Sequence, residues 1–199
     1  MKNYKKNFEI LKKNNIYSEE MEHDACGVGL IASTEGKKSR KIVEYGIEAL
    51  KAVWHRGAVD ADGKTGDGAG IHVEIPKDFF IEKVEVTGHT YDNSEICVGM
   101  IFLPRNDYAA QESCKTIVES ELTKNDFSIY GWRQVPVNPK VLGEKAFQTM
   151  PEIIQVLFKS NNPELLNKDL ERKIYETRRI IENKAFQISL NNFYICSLS

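Results

Sequence analysis

Two stretches of this chain are apolar on both faces of an extended backbone, and they constrain it more than anything else in the sequence. They are residues 26–33 and 96–103. A strand with one face in water alternates apolar with polar residues, whereas a strand covered on both faces does not. Each stretch is followed by a segment of helical periodicity. Ser39 can cap a helix running to about His55, in which Val43, Ile47, Leu50 and Trp54 recur at helical spacing, with Gly57 ending it. Asp107 can cap a second to Lys124, with Cys114, Ile117, Val118 and Leu122 on one side. Doubly buried strands alternating with amphipathic helices require sheet inside and helix layers outside. A doubly wound parallel sheet and stacked antiparallel sheets both meet that requirement, and periodicity does not separate them.

The remaining segments fill in the pattern. Residues 58–70 are rich in glycine and aspartate and read as a loop. Residues 71–75 read as a strand, 76–80 as a short helical turn and 87–94 as a polar connection, the best place for an insertion. A strand is expected over 128–137 with Trp132 as a large anchor, a helical turn over 144–148, and a strand over 151–159. Asn162-Pro163 then reads as the start of a long helix, with Pro at its first position and Leu166, Leu170, Ile174, Thr177 and Ile181 in register. Residues 193–198 form a last strand, and nothing repeats.

With 199 residues, 41% of them hydrophobic and 28% charged, the chain suits one soluble domain with a sizeable core. Its net charge of −2 gives no general attraction to nucleic acid or to anionic membrane. No apolar run is long enough to span a bilayer. Residues 2–17 are rich in lysine and asparagine, and Glu19, Glu20 and Glu22 follow, so the leader is neither a secretory signal nor a transit peptide. Four scattered cysteines, Cys26, Cys97, Cys114 and Cys196, contain no CxxC pair. That usage suits reduced thiols, and the expected location is the cytoplasm.

The chemistry concentrates where the charged leader meets the first apolar run. Residues 1–25 read as a pro-segment, with a short helix around residues 8–11, and Cys26 as the first residue of the mature domain. Freed there, Cys26 would carry a thiol (usual pKa ~8.5) and an α-amine (~7.7–8.0) on adjacent carbons, a nucleophile and its base in one residue. A buried core cysteine is the alternative.

Other motifs carry less. Asp62-Gly63-Lys64-Thr65 ends like a phosphate loop, but Gly57 is one place too far from Gly63 and the segment leaves a helix rather than entering one. Asp60-Ala61-Asp62-Gly63 does not match a calcium loop, since its glycine is two positions early and Ile71 stands where a glutamate is needed. His23, Asp24 and Cys26 lack a second close pair, so no metal is expected. Arg56 and His55, cations in a last helical turn, suit the dipole there.

Read together, the motifs resemble a known family. Glu22-His23-Asp24-Ala25-Cys26-Gly27-Val28-Gly29, then His55-Arg56-Gly57-Ala58-Val59, then Gly66-Asp67-Gly68-Ala69-Gly70-Ile71 stand in that order. Ile75-Pro76 with Phe79-Phe80, Gly131-Trp132-Arg133 with Val135-Pro136-Val137, and the segment from Phe193 to Ser199 continue the match. The whole is similar to the N-terminal class-II glutamine amidotransferase domain of glutamate synthase large subunits, of the N-terminal-nucleophile hydrolase type. The resemblance implies an α+β fold, a four-layer αββα sandwich of two antiparallel sheets, incomplete at its C-terminus. It implies residues 26–199 as a partial amidotransferase domain, catalysis by Cys26 and a place for Arg56 at the substrate L-glutamine. FMN and an iron–sulfur cluster would lie in downstream synthase domains of the same polypeptide, fed by a small reductase subunit or ferredoxin. A non-catalytic fragment and a different class-II amidotransferase, such as the phosphoribosyl-pyrophosphate type, are the alternatives.

Overall fold

The computed structural model describes residues 27–53 and 57–199, with Lys6, Glu9, Ile10 and Lys13 of the leader, all four helical. The chain divides into two compact units, one of residues 1–58 and 67–71, the other of residues 59–66 and 72–199.

The larger unit is built on one antiparallel sheet. Its elements are α2 (Lys77–Val86), β1 (Cys97–Leu103), α3 (Tyr108–Lys124), β2 (Phe127–Gln134), a 3₁₀ turn (Pro139–Val141), α4 (Glu144–Thr149), β3 (Glu152–Ser160), α5 (Asn167–Gln187) and β4 (Tyr194–Leu198). Strand order is β2-β3-β1-β4. β1 pairs antiparallel with both neighbours, Ile101 facing Ile154 on β3 and Ile195 on β4. Because β3 lies antiparallel between β1 and β2, those two run the same way, and α3 is the crossover joining them. α5 joins β3 to β4 in the same manner. This is the split βαβ arrangement used twice.

Burial follows the strand period. Cys97, Ile101 and Leu103 of β1, with Ile154, Val156 and Phe158 of β3, pack beneath Cys114, Val118 and Leu122 of α3 and Leu170, Ile174 and Ile181 of α5. Val98, Tyr130 and Leu157 point to the opposite face, where Phe80 and Val84 of α2 cover them with Ile96. The doubly apolar stretch 96–103 is therefore a central strand covered from both sides, as its pattern requires. Asp107 Oδ1 accepts the Ala110 N–H at 2.9 Å and starts α3 where expected. Between α3 and α5, the buried Glu121 carboxylate takes Lys184 at 2.7 Å and Lys124 at 3.0 Å, so the charge sits under the helices with two partners.

The smaller unit contains α1 (Arg40–Ala52). Ser39 caps it through the Lys41 N–H, and Val43, Ile47 and Leu50 are half-buried on one side. The helix ends before Gly57, whose expected role as its terminator is not what is seen. Trp54 and His55 lie outside the described residues.

Several expectations are corrected. Residues 27–33 and 71–75 are not strands. Val28 is 95% and Leu30 89% exposed. An apolar pattern says which surface favours burial, but a strand forms only where a neighbour offers a continuous ladder of hydrogen bonds. The turn at 76–80 is instead the ten-residue α2. α5 begins at Asn167, not beside Pro163. The Asn162 side chain accepts the Glu164 N–H at 3.0 Å and its carbonyl the Leu165 N–H at 3.2 Å, which makes a turn out of Asn162-Pro163 and leaves Leu166 exposed. The α+β class stands, with one four-stranded antiparallel sheet among the described residues.

Candidate functional site

Cys26 and Arg56, the two residues singled out from the sequence, lie outside the described residues, as do the pro-segment boundary and His55. What the structure describes is the chain on either side of them. Gly27, Val28 and Gly29 follow Cys26 on an exposed, non-strand segment, and a side chain at either glycine would meet nothing within 4 Å. α1 leads toward Arg56, and the loop of residues 57–70 leaves it.

That loop is closely tied. The Ala58 N–H donates to Asp67 Oδ2 at 2.8 Å. Val59 and Gly66 form an isolated antiparallel bridge, and the Asp60 N–H donates to the Thr65 carbonyl at 2.7 Å. Inside the turn, Asp62 Oδ1 accepts the N–H groups of Lys64 (2.9 Å) and Thr65 (2.7 Å), while Oδ2 accepts the Thr65 hydroxyl at 2.6 Å. Gly63 makes the bend with φ of 68°, a left-handed conformation that favours glycine.

The same turn is fixed to the start of α4. Thr65 Oγ1 accepts the Ala146 N–H at 3.4 Å, and Lys145 Nζ reaches Asp60 Oδ2 at 2.6 Å. Gly143 lies against the turn so closely that a Cβ would fall well inside contact distance of Thr65 Oγ1, the Thr65 backbone nitrogen and Asp62 Oδ2. The Thr65 hydroxyl, followed by the Thr65 and Lys64 N–H groups, holds the Asp62 carboxyl well below the usual carboxylate range. Asp60 and Asp62 thus accept from partners within the turn and from Lys145 at the start of α4. The sequence reading weighed Asp62 only as part of the phosphate-loop and calcium-loop motifs, Thr65 only as the end of the phosphate-loop comparison, and passed over Gly143. The available signal was aspartate three residues before threonine with glycine between, a side-chain-to-backbone turn.

The other cysteines differ from one another. Burial, with Glu95 and Glu171 adding to it, pushes the Cys97 thiol up to about 12. Burial likewise pushes Cys114 up to about 11. Neither forms thiolate at neutral pH, so neither is a nucleophile. Cys196 is exposed on β4. Among the described residues no group of three or more His, Cys, Asp or Glu side chains could hold a metal ion.

A further cluster lies on the opposite side of the sheet from α3 and α5. Asp92 is ion-paired with Lys159 and accepts the Tyr130 hydroxyl at 3.2 Å. Lys159, then Ser94 and Tyr130, hold its carboxyl well below the ordinary range. Lys159 also stands over the Tyr130 ring, which meets His89 edge-on.

Comparison with known proteins defines the class. The chain belongs to the class-II glutamine amidotransferases, whose family profile matches residues 26–199 and so opens at Cys26. Within that class it is similar to glutamate synthases. It is 53% identical over 196 residues to the glutamate synthase [NADPH] large chain of Azospirillum brasilense, a match covering 98% of this chain and 13% of that protein. The ferredoxin-dependent glutamate synthase of Pyropia yezoensis is 39% identical over 198 residues, 96% of this chain and 12% of that one. Ferredoxin-dependent glutamate synthase 2 of Arabidopsis thaliana, chloroplastic, is 38% identical over 196 residues, again 96% and 12%. The chain therefore spans only a small part of the length of these relatives.

Proposed function

We propose that this chain supplies the glutaminase step of a glutamate synthase, hydrolysing L-glutamine to glutamate and ammonia for the reductive amination of 2-oxoglutarate. The observation that carries the reading is the amidotransferase match that opens at Cys26 and runs to residue 199.

Residues 1–25 are a pro-segment, and their removal frees the Cys26 α-amine. The amine takes the thiol proton, and the thiolate attacks the side-chain amide carbon of glutamine. The tetrahedral intermediate collapses with cleavage of the C–N bond, and ammonia leaves with a proton returned from the α-ammonium. Water, deprotonated by the same amine, then cleaves the γ-glutamyl thioester to release glutamate and restore the thiol. Arg56 sits at the glutamine pocket. The inertness of Cys97 and Cys114 supports Cys26 as the reacting thiol.

The domain of residues 26–199 contributes to a four-layer sandwich with a second antiparallel sheet. Support comes from the exposed apolar side chains of Val28, Leu30, Ile71 and Val73, which a second sheet would bury. FMN, an iron–sulfur cluster and the electron donor, a small reductase subunit or ferredoxin, belong to the rest of such a synthase, and no step assigned to residues of this chain passes through them. The site of action is the cytoplasm. Among the described residues no helix is long and apolar enough to cross a membrane.

The test is Cys26→Ser in an intact synthase carrying this chain. Glutamine-dependent glutamate formation should be abolished and the reaction with supplied ammonia retained, because the thiol serves only amide cleavage. Equal loss of both activities in a folded variant would count against the assignment.

A further inference from the structure

Arg133 is a half-buried cation on β2, directly across from Gln155 of β3. Its Nη1 donates to Gln155 Oε1 at 2.6 Å, and its guanidinium lies over the ring of Phe79 on α2, 5.1 Å from the centroid. Lys83, one turn further along α2, brings its ammonium to 5.0 Å from the same centroid. Among the described residues neither cation is ion-paired with a carboxylate. Charges drawn out of water are ordinarily matched by an opposite charge. Buried Glu121 follows that rule with Lys124 and Lys184, and half-buried Arg178 follows it with Glu182. Arg133 and Lys83 depart from it: two positive charges meet one ring, near enough to repel each other at ordinary salt. An anion would relieve both.

The geometry selects the kind of anion. Gln155 is 8% exposed and takes Nη1 alone. That bond and the contact with Phe79 fix the plane of the guanidinium, and the Phe79 ring is itself held edge-on against buried Phe80, centroids 5.0 Å apart. An arginine has five N–H donors in a rigid plane. Nε–H and the neighbouring Nη2–H remain as a parallel fork, without a partner among the described residues. Such a fork matches the two oxygens of a carboxylate. A phosphate has further oxygens to satisfy, and the group flanking the guanidinium is an apolar ring, 38% exposed, against which a short carbon chain can lie.

We propose that Arg133, oriented by Gln155 and Phe79 and assisted by the charge of Lys83, is a binding site for the carboxylate group of a small organic acid. The Arg133 fork holds the two oxygens, and the carbon chain packs on Phe79. All four residues lie within the larger unit, on β2, β3 and α2. The proposal goes beyond the glutaminase reading and does not depend on it.

The experiment footprints arginines in the intact protein carrying this chain. Phenylglyoxal adds to accessible guanidinium groups, and peptide mapping by mass spectrometry gives a labelling rate for each arginine. Propionate is the probe, raised at constant ionic strength with chloride making up the balance. Labelling of Arg133 should fall saturably, about tenfold, with half the effect at a concentration on the order of 1–10 mM. The exposed Arg172 should keep its rate. Lys83→Met should raise the half-effect concentration roughly threefold, since one of the two attracting charges is gone. Gln155→Glu supplies a carboxylate from within and should abolish the response to propionate. Equal protection by chloride alone overturns the site, and stronger protection by inorganic phosphate overturns its assignment to carboxylates. An Arg133 that is unreactive before any propionate is added has its fork filled by the protein, which overturns the small acid as its occupant. Protection that persists unchanged in both variants overturns the parts given to Lys83 and Gln155.

Discussion

Gly143 is packed against Thr65 with no room for a side chain between them. The backbone at Gly143 is ordinary, with φ of −71°, so the requirement for glycine is steric and not conformational. One of the atoms a methyl group would meet is the Thr65 backbone nitrogen, which cannot rotate away as a side chain can. Gly143→Ala should therefore displace the 59–66 turn or the start of α4, at a cost of about 1–3 kcal/mol. Urea unfolding of the variant would show the loss as a lower midpoint. A midpoint equal to that of the parent chain would mean that turn and helix are not in contact.

Acid should loosen the same turn. The carboxyl of Asp62 is depressed by the bonds it accepts from Thr65 and Lys64, and that of Asp92 by Lys159, Ser94 and Tyr130. A carboxyl whose folded pKa lies below its unfolded value of ~3.9 contributes its stability above that value and loses it as pH falls toward the folded pKa. Both contributions should thus be complete at neutral pH and fade only in strong acid. Side-chain carbon-13 shifts followed from pH 7 downward should titrate for these two residues well below unpartnered aspartates. A midpoint near the unfolded value for either would show that its bonds do not form in solution.

How much of this was legible in the sequence depended on whether a signal was local. The Asp107 cap, the buried register of α3 and the Leu170, Ile174, Thr177 and Ile181 stripe of α5 are set by side chains within a few residues, and all appear as read. The central position of residues 96–103 was legible from two-faced hydrophobicity. The same pattern failed at residues 27–33, because a strand depends on a partner that its own residues do not encode. Strand order is likewise a property of pairs: nothing in β1 names β3 and β4 as its neighbours. At the candidate site, the sequence pointed to Cys26 and Arg56 through motif order. It missed the meeting of Thr65 with Gly143 because that contact joins residues far apart in the chain.

The described cysteines should separate under alkylation. Cys97 and Cys114 are buried, with thiols pushed up to about 12 and about 11 by loss of solvent, whereas Cys196 is exposed. The reactive species is the thiolate, so iodoacetamide at pH 7.5 should modify Cys196 and leave the two buried thiols intact until denaturant is added. Peptide mapping by mass spectrometry distinguishes the sites. Modification of Cys97 or Cys114 at the rate of Cys196 in the folded chain would show that the sheet and α3 do not cover them.

The last prediction concerns the bond between Ala25 and Cys26. While that bond is intact, the Cys26 nitrogen is an amide, its lone pair is delocalised into the carbonyl, and it cannot accept the thiol proton. Cleavage turns it into an amine of usual pKa ~7.7–8.0 beside a thiol of ~8.5, close enough for proton transfer at neutral pH. An active synthase carrying this chain should accordingly begin at Cys26, and intact-mass measurement or N-terminal sequencing should find residues 1–25 missing. Blocking the cleavage, for example with Ala25→Pro, should leave a folded protein that forms glutamate from ammonia but not from glutamine. Fully active enzyme that retains Met1 or Lys2 would overturn the N-terminal-nucleophile mechanism, because no free α-amine would then lie beside the thiol.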